Sequence, residues 1–176
     1  MTAETANHSE APWALVVMGV SGCGKSSAGA AIALTLGWQL FEGDAFHSPA
    51  SVEKMKEGIA LNDADREGWL ARLADLLAKA GPENGVVLTC SALKRKYRDQ
   101  LRAAQPHMGF VFLQLDYDTA LARVQSRAGH FFSPELVANQ FATLEDPRAE
   151  ADVLTVPATD TLEAIAAHTQ QWQAQR

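Results

Sequence analysis

A lysine amine and a serine hydroxyl close a glycine-rich run, Gly19-Val20-Ser21-Gly22-Cys23-Gly24-Lys25-Ser26, spaced as G-x-x-x-x-G-K-[ST]. Glycines at those positions let the backbone curl until several N–H groups point inward, an arrangement that suits phosphate oxygens. The apolar run 13–18 before it reads as a buried strand, and the Ala- and Leu-rich run 27–36 after it reads as a helix. A helix starting there adds the positive end of its dipole. Motif and flanks together predict a P-loop. Gly19, Ser21, Gly22, Cys23, Gly24, Lys25, Ser26 and Ser27 would surround a nucleotide, with Lys25 on the β- and γ-phosphates and the Ser26 hydroxyl on Mg²⁺. The expected cofactors are ATP and Mg²⁺. The phosphate acceptor is left open by this stretch. Cys23 is either a small filler or a reactive thiol.

Other side chains could serve the acceptor. Asp44, in Gly43-Asp44-Ala45-Phe46-His47, could take the proton of an attacking hydroxyl or help hold Mg²⁺. Its alternative is a turn or capping aspartate. His47 either hydrogen-bonds a polar substrate or is a satisfied loop histidine. Arg66 stands near a helix start, where a cation is disfavoured. That placement suggests a fork for an anionic group, or else a surface ion pair with Asp63 or Asp65. Ser91-Ala92-Leu93-Lys94-Arg95-Lys96-Tyr97-Arg98 follows a core strand, and Lys94, Arg98 and Arg102 share one helical stripe. Arg95 can pair with Asp99, but the other cations find no partner within the helix. An anion site at Ser91, Lys94 and Arg98 is expected, against the alternative of a solvated basic face. Arg123 and Arg127 sit one turn apart before Ala128-Gly129-His130-Phe131-Phe132-Ser133-Pro134. This reads as a lid, about 127–134, whose arginines neutralise a transferring phosphoryl group. A helix–turn–helix corner with surface arginines is the alternative.

The positions that carry this chemistry must be held by a scaffold. Strands are expected at 13–18, 38–42, 85–90, 109–116 and 152–156, with helices at 25–36, 49–57, 64–79, 94–104, 117–126, 134–143 and 162–173. Short apolar runs alternating with periodic helices predict an α/β fold: a five-stranded parallel sheet flanked by helices, with a small lid. Ligands of such sheets sit beyond the C-terminal strand ends, where every candidate above falls. Ser48-Pro49 and Ser133-Pro134 each pair a cap with a first-turn proline. The 176 residues suit one domain over 13–176, preceded by a polar tail, 1–12, that reads as disordered and lacks the regions of a signal peptide.

Composition narrows the class. With 47% hydrophobic and 20% charged residues the chain is ordinary for a globular protein, and no apolar run is long enough to cross a membrane. The net charge of −6 argues against a nucleic-acid partner, and five of the 15 cations crowd into 94–102. Two isolated cysteines suggest neither disulfide nor metal site, which fits a cytoplasmic protein. There is no Asn-Lys-x-Asp base-reading motif and no clear Walker B acid, so Mg²⁺ is expected on Ser26, nucleotide and Asp44.

Several strings in the chain are more specific than the P-loop. They are Glu42-Gly43-Asp44-x-x-His47, Lys54-Met55-x-x-Gly58-Ile59-x-Leu61, Asp63-x-Asp65-Arg66-x-x-Trp69-Leu70, Cys90-Ser91-Ala92-Leu93-Lys94-x-x-Tyr97-Arg98, Gly129-His130-Phe131 and Gln140-Phe141-x-x-Leu144-Glu145-x-Pro147. With the P-loop they resemble the bacterial-type gluconokinases, small P-loop kinases related to shikimate and adenylate kinases. The resemblance runs from about residue 15 to the C-terminus. It implies phosphorylation of D-gluconate at its 6-hydroxyl with ATP and Mg²⁺, to 6-phospho-D-gluconate. It puts Asp44 at the acceptor hydroxyl, His47, Arg66, Lys94 and Arg98 around the sugar acid, and Arg123 and Arg127 in the lid. It also implies a homodimer, with Phe131 and Phe132 closing the lid or packing on another subunit. Ser51, Ala60, Gly68 and Ser48 depart from the family's usual Asn, Pro, Pro and Pro, leaving the phosphate and cationic positions intact. The rival readings are a kinase for shikimate or a nucleoside monophosphate, and a non-enzymatic ATP sensor.

Overall fold

The computed structural model describes residues 11–127 and 134–176. Its elements run β1 Ala14–Met18, α1 Lys25–Leu36, β2 Gln39–Glu42, α2 Pro49–Lys56, α3 Asp63–Ala78, β3 Val86–Thr89, α4 Arg95–Ala104, β4 Met108–Gln114, α5 Tyr117–Ser126, α6 Pro134–Thr143, β5 Val153–Pro157 and α7 Leu162–Ala174. A single 3₁₀ turn, Gly43–Phe46, follows β2. The five strands form one sheet in the order β2-β3-β1-β4-β5, every pair parallel. The expected tail lies almost wholly outside the described residues. Pro12, at its end, accepts a hydrogen bond from Gln173 of α7.

Strand alternation divides the core. Leu15 and Val17 of β1 pack with Val87, Val111, Leu113 and Ile32 on one face. Ala14, Val16 and Met18 pack with Leu88, Phe110, Phe112, Trp69, Leu73, Leu77 and Leu101 on the other. All five β1 residues are fully buried, which is why this central strand reads as an unbroken apolar run. Each large side chain so buried contributes roughly 1.5–3 kcal/mol.

The chain leaves β1 toward β2 and β3 on one side, then returns past β1 to β4. The order reverses between β1 and β3, and a crevice opens there beyond the strand ends. Helix caps set what faces it. Asn62 caps α3 and forms a reciprocal capping box with Asp65, while Ser48 caps α2. Helix α1 starts differently. Its N-cap is Gly24, left-handed at φ 88°, with no side chain over the first amides. Those amides are left for a ligand.

Candidate active site

One cleft runs along that crevice. Ser21, Gly22, Gly24, Lys25, Ser26 and Ser27 form its floor, and Asp44, His47, Arg66, Trp69 and Ser91 form one wall. Arg127, Leu136, Asn139 and Gln140 complete the lining. Of the loop positions expected to line it, Gly19 and Cys23 do not. Cys23 is buried in the core, as a filler would be, and a Cβ on Gly19 would crowd its sulfur. The Lys25 amine folds onto the carbonyls of Gly19 and Val20, at 3.0 and 3.1 Å.

Beside the loop, the end of β2 presents an acid. Glu42 Oε2 accepts from the Ser26 hydroxyl at 3.0 Å and from the Thr89 hydroxyl at 2.6 Å. The Gly43 N–H in turn donates to Thr89 Oγ1. Glycine is required at 43, because a Cβ would run into the Thr89 carbonyl oxygen. The Trp69 indole donates to the Gly43 carbonyl at 2.8 Å, so α3 pins the turn that carries Asp44. Glu42, rather than the expected Asp44, thus stands against Ser26. The position one residue past the last apolar strand residue was the signal for it.

Asp44 keeps most of its carboxylate exposed to the cleft, with its Oδ1 3.8 Å from His47 Nε2. His47 stacks on Trp69 at 4.2 Å. Burial lowers the His47 pKa; Asp44 opposes this, and Arg66 and Arg72 add to it. The imidazole is therefore neutral at neutral pH. Arg66 is 8% exposed and lies over the Tyr97 ring. His47 Nδ1 and Arg66 Nε are both buried without a hydrogen-bond partner. Two unpaired buried polar atoms on one wall are a cost that a ligand in the cleft would remove.

The basic helix α4 turns out differently. Leu93, Tyr97 and Leu101 pack inward as expected, and Arg95 pairs with Asp99 at 3.7 Å. Arg98, expected around a substrate, does not line the cleft. It is fully buried and its donors are taken: Nε and Nη2 by Glu150, Nη1 by the Ala92 and Leu93 carbonyls, and Nη2 also by the Glu145 carbonyl. Arg102 pairs with Glu150, Asp152 and Asp99. Lys94 is likewise outside the cleft wall, 3.2 Å from Asp63, which also binds Lys96 and the Tyr97 hydroxyl. Hydrogen bonds from Lys96, Tyr97 and Lys94 hold the Asp63 carboxyl well below the usual range. The stripe is neutralised mostly by acids distant in sequence, so of the expected anion site only Ser91 lines the cleft, which Arg66 lines as well.

Arg123 and Arg127 also separate. Helix α5 ends at Ser126, and Arg127 turns out as its C-cap with φ −88° and ψ 107°. Arg127 faces the cleft. Arg123 instead donates to the Gly22 carbonyl at 3.2 Å and the Ala158 carbonyl at 3.4 Å and does not line the cleft. The rest of the expected lid, 128–133, lies outside the described residues. Gln140 was missed as a site residue, although the string Gln140-Phe141 contains it; its carboxamide oxygen accepts the Ser21 N–H at 2.6 Å.

Comparison with known proteins fits this geometry. A match to the shikimate kinase family covers residues 21–172. A gluconokinase of Gluconobacter oxydans is 49% identical over 148 residues, 82% of each chain. This chain belongs to the gluconokinase family. The thermoresistant gluconokinase of Escherichia coli is 42% identical, covering 88% of this chain and 89% of its own. The crystal structure of a gluconokinase from Sinorhizobium meliloti superposes with a TM-score of 0.84 at 44% identity, covering 94% of both chains. A shikimate kinase from Aquifex aeolicus, at 15% identity and TM-score 0.59, shares the fold alone. As a gluconokinase-family member the chain is a P-loop kinase that binds ATP, and no helix among its described residues is long and apolar enough to cross a membrane.

Proposed function

We propose that this enzyme transfers the γ-phosphoryl group of ATP to the 6-hydroxyl of D-gluconate. The relatives' names support the acceptor. The observation that carries it here is the wall with two unpaired buried polar atoms, His47 Nδ1 and Arg66 Nε, beside an exposed carboxylate. A polyhydroxy acid supplies what that wall lacks: an anion for the Arg66 fork, hydroxyls for His47 and Ser91, and a terminal hydroxyl for Asp44.

In this reading Asp44 orients the acceptor hydroxyl and takes its proton as the oxygen attacks phosphorus, and the bond to ADP breaks on the opposite side. Lys25 swings from the loop carbonyls to the phosphates. The open N-terminus of α1 and the Lys25 charge favour the oxygens that gain negative charge. Arg127, also in the cleft lining, neutralises the transferring group. The Ser26 hydroxyl and the Glu42 carboxylate are hard oxygen donors, a set that suits Mg²⁺ held mainly by nucleotide phosphates and water. Mg²⁺, when bound, would offset phosphate charge there. Residues 13–176 act as one catalytic unit with a lid near 127–134, as a homodimer in the cytoplasm and without nucleic acid, which the −6 charge supports.

An acceptor panel tests the reading. Gluconate, shikimate and AMP are offered with ATP and Mg²⁺ while ADP release is followed. Turnover with gluconate alone is expected. Turnover of shikimate or AMP without gluconate would overturn the acceptor, and binding of ATP with no turnover of any would favour a sensor.

A further inference from the structure

Helix α6 buries Leu136, Val137 and Gln140 on one stripe. An apolar residue is the ordinary occupant of such a position, since a buried amide costs stability unless it is paired. Gln140 is 5% exposed, and half of it is paired: Oε1 takes the Ser21 N–H at 2.6 Å, across 119 residues of chain. A backbone N–H can only donate, so this contact fixes which end of the amide is which. The oxygen is on the loop. The NH₂ group is left with two donors and no partner among the described residues.

Gln140 also lines the cleft, together with Lys25, Asp44 and Arg127. Ser21 is the third residue of the loop motif, ahead of the amides from Gly22 to Ser26 and of the helix start at Gly24. Bracing Ser21 therefore leaves the later amides for the nucleotide. The NH₂ group, without a partner among the described residues, belongs to a residue of that same cleft lining, which in the reading above holds the outer phosphoryl group and its acceptor. What such a pair of donors can take is an acceptor-only group, and phosphoryl oxygens are that chemistry.

We propose that Gln140 is a catalytic residue with two roles: its carbonyl oxygen braces the P-loop at Ser21, and its NH₂ donates to the oxygens of the phosphoryl group in transfer. The proposal rests on the ATP-to-acceptor reading above. No bond is made or broken at Gln140 itself. Its contacts strengthen as charge spreads over the transferring oxygens.

The test separates the outer phosphate from the rest of the nucleotide. Binding of ADP and of a non-hydrolysable ATP analogue is measured by calorimetry, and kcat and the gluconate KM by steady-state assay. Gln140→Met removes both roles. Gln140→Glu keeps an acceptor for the Ser21 N–H and removes the donors, so its melting temperature should match the wild type. Gln140→Glu should bind ADP within about threefold of wild type and lose affinity for the analogue, whereas Gln140→Met, which also lacks the brace, should weaken ADP but weaken the analogue further; both should lose kcat on the order of a hundredfold, as deletion of one donor to a developing charge does. The gluconate KM should move little. Equal weakening of ADP and analogue would reduce Gln140 to a loop brace and overturn the proposal, as would kcat within threefold of wild type in both variants. Wild-type protein that fails to bind ADP would instead overturn the underlying reading.

Discussion

Replacing Arg98 by methionine separates a structural arginine from a substrate-binding one. The guanidinium meets five acceptor contacts, two on Glu150 and three on the carbonyls of Ala92, Leu93 and Glu145. It is fully buried, and the Glu150 side chain is only 6% exposed. Arg98→Met strands those carbonyls and leaves Glu150 with Arg102 alone. Breaking one partner out of a buried pair costs about 3–5 kcal/mol. At about 2–4 °C per kcal/mol for a chain of this size, the melting temperature should fall by roughly 6–20 °C. Burial alone would raise the Glu150 pKa, but hydrogen bonds from Arg98 and Arg102 outweigh it and the net shift is downward. A depressed carboxylate adds stability above its unfolded pKa, near 4.3, and loses it as pH falls through the lower folded value. The gap between wild type and variant should therefore be full at pH 7 and narrow in acid. The double variant Arg98→Met with Glu150→Met should recover the part of the loss due to the unpaired Glu150 but not the part due to the stranded carbonyls. Calorimetric melts and the gluconate KM measured well below the variant's melting point decide the matter. A variant that melts within about 2 °C of wild type but whose gluconate KM rises tenfold would refute this account and return Arg98 to the substrate.

Asp44→Asn should lower kcat far more than ATP affinity, read by steady-state kinetics beside calorimetric binding; near-normal turnover would remove Asp44 from proton transfer. Gly43→Ala forces the β2 turn away from the Thr89 carbonyl; lower stability and lost turnover are expected together, from melts and kinetics on one preparation. His47, with its lowered pKa, favours the neutral imidazole in the fold. As pH drops below about 6.5 the unfolded chain binds the proton first, so stability falls until the folded pKa is reached. His47→Gln should flatten that part of the stability–pH curve, and an unchanged slope would count against the burial.

The donor half of the site was legible because its signal is local. Eight consecutive residues and their flanks specify the strand, loop and helix of the P-loop, and the structure has that order. The sheet followed from apolar runs, and strand ends moved by only a residue or two. What was not legible is long-range pairing. Arg98 and Arg102 are expected to be unpartnered along their helix; Arg102 in fact takes Asp99 one turn back, and Glu150 and Asp152 reach the two arginines from about 50 residues away. Lys94 finds Asp63 31 residues earlier. A helical stripe of cations carries no record of which acids the fold will bring. Arg123 and Arg127 failed for a different reason. Their i, i+4 spacing shares a face only while the helix continues, and it stops between them at Ser126. Glu42 was overlooked because Asp44, two residues on, offered the same chemistry.

The turn from Gly43 to Phe46 and helices α2 and α3 form one excursion between neighbouring strands β2 and β3. Asp44, His47, Arg66 and Trp69 all belong to it, whereas the P-loop lies ahead of it in the chain. Its departure from the sheet is clamped at Gly43, by the Trp69 indole on the carbonyl and the Thr89 hydroxyl on the N–H. In the proposed reading most of the acceptor wall, Ser91 apart, is therefore one replaceable segment. Residues 44–68 can change to suit a different alcohol while Trp69 and Thr89 hold Gly43 and keep the new wall in register with an untouched phosphate loop.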